Sequence, residues 1–277
     1  MITRALRDDT LLELFRSGDR LPSKYGYGVD ERCVEYPWLF SHLSADAKHI
    51  LDAGSVLNHE FILSHPFFDG RKLHVLTSAP EQNFFPQRSI SYIYDDLRSI
   101  PMRENYYDAV VCLSTLEHVG CDNSAYTAEN IYSTSCPDDI ELVMRELRRV
   151  LKPGGSLFLS VPFGSYRNFG NFRQFDEALL SRAVDAFGES NKLTKTFYRY
   201  SIEGWQVAAA SECEECKYVE WIAKSWLRHQ LPSPIPVEWD LAAAARAVAC
   251  IQLVKPSPAV CSYPSAIDRA GQMRSLQ

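Results

Sequence analysis

Long apolar runs, an excess of basic residues, paired cysteines and glycine-rich turns are all scarce in this sequence. Each scarcity removes a class of protein. No stretch of the 277 residues approaches the roughly 18 uninterrupted apolar positions of a membrane span, so none is expected. The opening residues, Met1 to Arg20, lack the apolar core of a signal peptide, and a cytoplasmic location is expected. Lys and Arg total 29 against 35 Asp and Glu, a net charge of −6, so no nucleic-acid footprint is expected from the balance. Of the 8 cysteines only Cys213 and Cys216 form a CxxC, and no second pair stands at zinc spacing. The thiols are expected to be reduced and no metal centre is expected. Gly54 stands alone in the turn after "ILDA", too little glycine for a phosphate cradle. Repeats and low-complexity tracts are absent.

What is present is a core. Hydrophobic residues make up 46% of the chain, which suits one large α/β domain with decorations. Short apolar runs bounded by turn signals read as strands at 49–55, 72–78, 90–97, 106–115 and 156–164. The stretch 137–155 reads as a helix, with acids at its start, Ile140, Met144, Leu147 and Leu151 on one face, and Arg148, Arg149 and Lys152 near Pro153-Gly154-Gly155. A second helix is expected over 175–187, and two late strands over 192–201 and 246–256. Alternating strands and helices imply a mostly parallel sheet covered on both faces, with ligands beyond the carboxyl ends of the strands. Those ends carry Asp52, Gly54 and Ser55, then Asp95 and Asp96, then Ser114 to His118. Acids gather there, which suits a cationic or hydroxyl-bearing ligand.

The segments "ILDAGS", "DDLRSIPMRENYYDAVVCLSTLEHVG" and "VMRELRRVLKPGGSLFLSVP", in that order over about residues 48–164, resemble the successive motifs of class I S-adenosylmethionine-dependent methyltransferases. The resemblance implies a Rossmann-like, doubly wound, mostly parallel seven-stranded sheet with an antiparallel last strand, in a three-layer sandwich. It implies S-adenosyl-L-methionine as cofactor and S-adenosyl-L-homocysteine as product. Asp52, Gly54 and Ser55 would face the methionine moiety, and Ser114 would lie near the sulfonium. Asp96 would accept from the adenine amino group, with Asp95 as the fallback, and Leu97 would offer its backbone N–H. The second strand, where the family ends in a ribose-binding acid, has Thr77, with Glu81 four residues on as a substitute. Val56 and Asn58 stand where the family has further glycines, and Asn58 can adopt a left-handed conformation. His118 is the first candidate for a catalytic base.

The expected organisation is a helical lead-in over 1–45, a methyltransferase domain over 46–256 and a loose tail over 257–277. Loops at 120–136, 163–175 and 202–245 are its insertions. The stretch 163–175 has an aromatic at every third position and is either a substrate wall or a cover over the sheet. Arg32 is a candidate for the cofactor carboxylate. The acidity and these loops favour a small-molecule substrate, such as a sugar, glycan precursor or other secondary metabolite, methylated at O or N. The rival is a non-catalytic member of the fold that binds or regulates a partner. A nicotinamide-dependent dehydrogenase is disfavoured, because "DAGS" lacks the glycine fingerprint of that class.

Overall fold

Why the chain turns back at each carboxyl edge is visible in its alternating burial. In the first strand, β1 (His49–Ala53), Ile50 packs into one apolar cluster and Leu51 into another on the opposite face. Val110 and Val111 of β4 (Tyr107–Leu113) divide in the same way. A strand with both faces apolar needs cover on both sides, and the helices supply it. The computed structural model describes residues 1–123, 139–218 and 245–257.

One sheet of 8 strands runs in the order β3-β2-β1-β4-β5-β10-β8-β9. Its other members are β2 (Lys72–Thr77), β3 (Ile90–Tyr94), β5 (Leu151–Pro162), β8 (Lys192–Ser201), β9 (Gly204–Ala208) and β10 (Ala247–Val254). The first five strands pair in parallel. β10 is antiparallel to both β5 and β8, so the expected reversal of the last strand is present. An eighth strand, β9, folds back on β8 inside the stretch expected to be an insertion. Trp205, only 1% exposed, explains it: its backbone N–H donates to Tyr25 O at 2.7 Å and its indole to Val29 O at 2.9 Å. The lead-in loop is therefore sewn to the far edge of the sheet.

Three N-terminal helices, α1 (Ile2–Ala5), α2 (Asp9–Ser17) and α3 (Arg32–His42), cover one face. α4 (Glu60–Leu63) follows β1 on that side. α5 (Asp139–Val150) and α6 (Glu177–Phe187) cover the other face. α5 buries Ile140, Val143, Met144, Leu147 and Val150, a stripe at helical spacing. It ends earlier than expected, at Val150. Leu151 to Gly155 belong to β5, entering it through an irregularity between the Tyr107 and Ala109 pairings. Lys152, expected in the helix's last turn, instead donates to Asp108 at 2.6 Å. Parts of the expected insertions and tail, 124–138, 219–244 and 258–277, lie outside the described residues.

Candidate active site

The turn after β1 and the turn after β4 meet at the carboxyl edge. Gly54 has φ +121°, and a Cβ there would lie 2.0 Å from Thr115 Oγ1 and 2.7 Å from its Cβ. Glycine is thus required by protein contact alone. The left-handed residue that follows is Ser55, at φ 65°. The sequence suggested Asn58 for that role. Asn58 is instead among the residues without positive φ, and its side chain braces a loop. Its amide donates to Asn83 O at 2.9 Å, Asn83 donates back to Asn58 O at 3.0 Å, and Tyr92 donates to Asn58 Oδ1 at 3.0 Å.

That brace sets the position of Glu81. The Glu81 carboxylate accepts from Ser55 Oγ at 2.6 Å and from Thr77 Oγ1 at 3.0 Å. Three of the residues singled out in the sequence therefore converge. Asp52 is fully buried and accepts from the backbone N–H groups of Val56 at 3.0 Å and Leu57 at 2.8 Å. It holds the turn rather than reaching out of it. Burial pushes its carboxyl up to about 8, against the lowering effect of those two bonds.

After β3, Asp95 Oδ1 accepts from the Asp96 N–H at 2.8 Å. Asp96 caps the short turn Leu97–Ser99 and pairs with Arg98, Nη2 to Oδ2 at 2.6 Å. Arg98 also reaches Asp139 of α5 at 3.1 Å. Leu97 is buried beside it.

The largest surprise lies at the start of α3. Glu35 is wholly buried under the carboxyl edge and accepts from Ser114 Oγ at 2.6 Å, Ser160 Oγ at 2.5 Å and Arg32 Nη1 at 2.9 Å. Ser114 has φ 40°, and its hydroxyl serves Glu35. Glu31, at the head of α3, and Glu117, in the turn after β4, complete the group. Each has an Oε2 that is buried with no hydrogen-bond partner among the described residues. Burial, helped by neighbouring carboxylates, pushes Glu31 up to about 8 and Glu117 well above the usual range. The same carboxylates keep Arg32 protonated against its own desolvation. Reading the sequence flagged Arg32 but missed Glu31 and Glu35. The available signal was three charges, Glu31, Arg32 and Glu35, at the head of an otherwise apolar helix.

His118 adjoins Glu117. Its Nδ1 lies 2.8 Å from Asn171 O. A carbonyl only accepts, so Nδ1 carries the hydrogen and Nε2 is the basic nitrogen. Burial lowers its pKa below the ordinary value. The aromatic stretch splits in two. Phe163 and Phe175 are core residues, whereas Phe169 and Phe172 stack at 4.5 Å on a hairpin, β6 (Arg167–Asn168) with β7 (Arg173–Gln174). Phe172 lies 5.8 Å from His118 and 4.7 Å from Tyr218, ring centre to ring centre. Cys213 and Cys216 are buried free thiols, and no group of His, Cys, Asp or Glu fit to hold a metal occurs among the described residues.

A five-strand parallel run, two reversed strands, β10 and β9, and acids gathered at the carboxyl edge define a Rossmann-like fold. Residues 73–159 match the family described as methyltransferase domain. That match spans 87 of the 277 residues and supports the expected class I S-adenosylmethionine-dependent methyltransferase domain. No curated protein matches the chain. Among solved structures it is similar to a SAM-dependent methyltransferase from Methanosarcina mazei, with 14% identity over 80% of this chain and 99% of that one, TM-score 0.46. It is also similar to the 1,6-didemethyltoxoflavin-N1-methyltransferase of Burkholderia thailandensis, with 14% identity over 76% and 72%, TM-score 0.44. A third is the [4+2]-cyclase SpnF, with 16% identity over 92% and 94%, TM-score 0.46. Likenesses this distant carry no argument about chemistry.

S-adenosylmethionine, the cofactor of this family, presents a diol, an amine, a sulfonium and an amino-acid end. The edge carries groups of matching type: Glu81 for hydroxyls, Asp96, paired with Arg98, for an amine, Arg32, paired with Glu35, for a carboxylate, and two buried carboxyl oxygens without a donor among the described residues. In charge and hydrogen-bond type the residues fit it.

Proposed function

We propose that this chain methylates a small molecule at nitrogen or oxygen by in-line displacement, releasing S-adenosylhomocysteine. The observation that carries this reading is the convergence of Ser55, Thr77 and Glu81 where β1 and β2 end. A carboxylate set there is suited to a ribose diol, even though β2 itself ends in threonine. When bound, the cofactor supplies an activated methyl group. The protein's own part is to orient, to exclude water and to manage a proton. Glu81 and Asp96 would hold the nucleoside, with the Leu97 backbone beside the base. Asp52 and Gly54 would shape the turn, and Ser114 would border the methionine end. The stacked Phe169 and Phe172, with Tyr218 tilted against them beside His118, support an acceptor that is flat or apolar on one side.

Calorimetric titration with S-adenosylhomocysteine tests the reading. Glu81→Gln is expected to weaken binding about tenfold, the value of one or two hydrogen bonds to a charged acceptor. Unchanged affinity would remove Glu81 from the site. Asp96→Ala should weaken binding as well, and His118→Ala should lower turnover more than affinity. One observation favours the rival, a non-catalytic partner-binding fold: Asp96 and Ser114 already have protein partners in Arg98 and Glu35. Failure of the wild type to bind at millimolar cofactor would support that rival.

A further inference from the structure

The sheet has two edge strands, β9 and β3, and the chain treats them differently. The lead-in loop lies directly on β9. Trp205 N–H donates to Tyr25 O at 2.7 Å, Lys24 N–H donates to Glu203 O at 3.0 Å, and a Cβ on Gly204 would lie 2.3 Å from Tyr25 O. At β3 no such backbone cover occurs among the described residues. Asp95 N–H donates inward to Thr77 O at 3.1 Å, and the parallel register sets Tyr92 beside Val75 and Tyr94 beside Thr77. Backbone groups alternate along a strand. Ser91 and Ile93 therefore face β2, and Ile90, Tyr92 and Tyr94 turn their N–H and C=O groups outward. An open edge is ordinarily guarded by a charge, a proline or a bulge. The stretch Ser89–Tyr94 has none of these. It presents apolar surface instead: Tyr94 is 46% exposed, and Phe84, whose ring centre lies 4.9 Å from that of Tyr92, is 57% exposed.

Two features select the occupant. The first is register. Antiparallel strands exchange paired bonds only between residues that both turn their backbone groups to the seam. A second copy related by a twofold axis at Tyr92 sets Tyr92 against the partner's Tyr92, Ile90 against the partner's Tyr94, and Tyr94 against the partner's Ile90. Every outward residue is then used. The second feature is the order of charge. Arg88 stands just ahead of β3, and Asp95 and Asp96 directly follow it. Antiparallel pairing brings the head of one strand to the tail of the other, so Arg88 meets the partner's Asp95 and Asp96. Arg88 already pairs with Glu60 and Asp96 with Arg98, so the seam joins two existing ion pairs. A parallel pairing would oppose Arg88 to the partner's Arg88 and acid to acid, which is unfavourable.

We infer that β3 is a self-association edge, through which two copies of this chain join antiparallel and run their sheets into one. The contact is short, so the dimer is weak, with a dissociation constant of about 10–100 μM.

Sedimentation velocity on the intact chain, over about two decades of concentration around that value, is expected to show monomer passing to dimer. Hydrogen exchange locates the contact. The N–H groups of Ile90, Tyr92 and Tyr94 should exchange freely in the dilute chain and slow about fivefold in the concentrated one, while Ile93, bonded to β2, keeps one rate. Ser91→Lys, at an exposed position, puts a cation from each copy at the seam and should weaken the dimer about tenfold, with the melting temperature of the dilute chain unchanged. Ser91→Thr, uncharged and suited to a strand, should keep it. A chain that stays monomeric throughout would overturn the inference. So would a dimer indifferent to Ser91→Lys, which must use another face. Outward amides already slow in the dilute chain would also overturn it, by assigning the edge to another segment of the same chain.

Discussion

The two ends of the candidate cleft are built on opposite principles. At the β1–β2 end nearly every polar group has a protein partner. Asp52 accepts two backbone donors, Asn58 and Asn83 exchange amide bonds, and Glu81 takes two hydroxyls. At the α3 end Glu35 is saturated by three donors, yet Glu31 and Glu117 beside it each keep an unmatched buried oxygen. A satisfied network fixes shape before any ligand arrives. An unsatisfied one holds free energy that a ligand supplying a hydrogen-bond donor releases. The first end is therefore suited to a constant partner such as a cofactor, the second to the variable one.

The comparison breaks most easily where the two ends touch. Gly54→Val forces a side chain into Thr115 at a φ that β-branched residues avoid. A loss of about 3 kcal/mol or more is expected from strain and overpacking together, with cofactor binding abolished. Urea unfolding and calorimetry measure both. Retained binding would show that the cleft lies elsewhere. Next in size is Glu35→Ala, which strands the Arg32 charge and two serine hydroxyls. A cost of about 2–4 kcal/mol is expected. A smaller loss would mean that α3 docks through its apolar residues alone.

Much of this was legible in the sequence, and the exceptions have causes. Strands β1 to β5 follow from apolar runs that must be buried on both faces, and α5 from its stripe and charged ends. Ser55, Thr77 and Glu81 were nameable because the family resemblance carries over position by position to the ends of the first two strands. Glu35 was not, since its partners Ser114 and Ser160 lie 79 and 125 positions away. β9 was hidden for the same reason: Trp205 is held by Tyr25 and Val29, far back in the chain. Asn58 looked like a turn residue because its own amide can favour such turns, but Asn83 and Tyr92 claim that amide instead.

Asn58→Ala should be milder, about 1–2 kcal/mol, because water can replace part of what Asn83 and Tyr92 lose. It sharpens the comparison by loosening only the β1–β2 end. S-adenosylhomocysteine affinity, read by calorimetry, should fall as Glu81 loses its brace. Unchanged affinity would mean that the brace does not set the position of Glu81.

The smallest effect is a slope rather than a step. Glu31 and Asp52 have folded-state values of about 8, above the usual carboxyl range of an unfolded chain. The folded form therefore binds their protons more tightly. The stability they confer is complete below about pH 4 and is lost as pH rises toward 8. Glu31→Gln removes one of these groups without removing its shape, so the melting temperature should decline less steeply between pH 5 and 8 than in the wild type. Asp52→Asn should flatten the slope too, but at a cost at every pH, because an amide oxygen and nitrogen cannot both accept from Val56 and Leu57. Parallel curves for Glu31→Gln and wild type would mean that Glu31 titrates like an exposed acid.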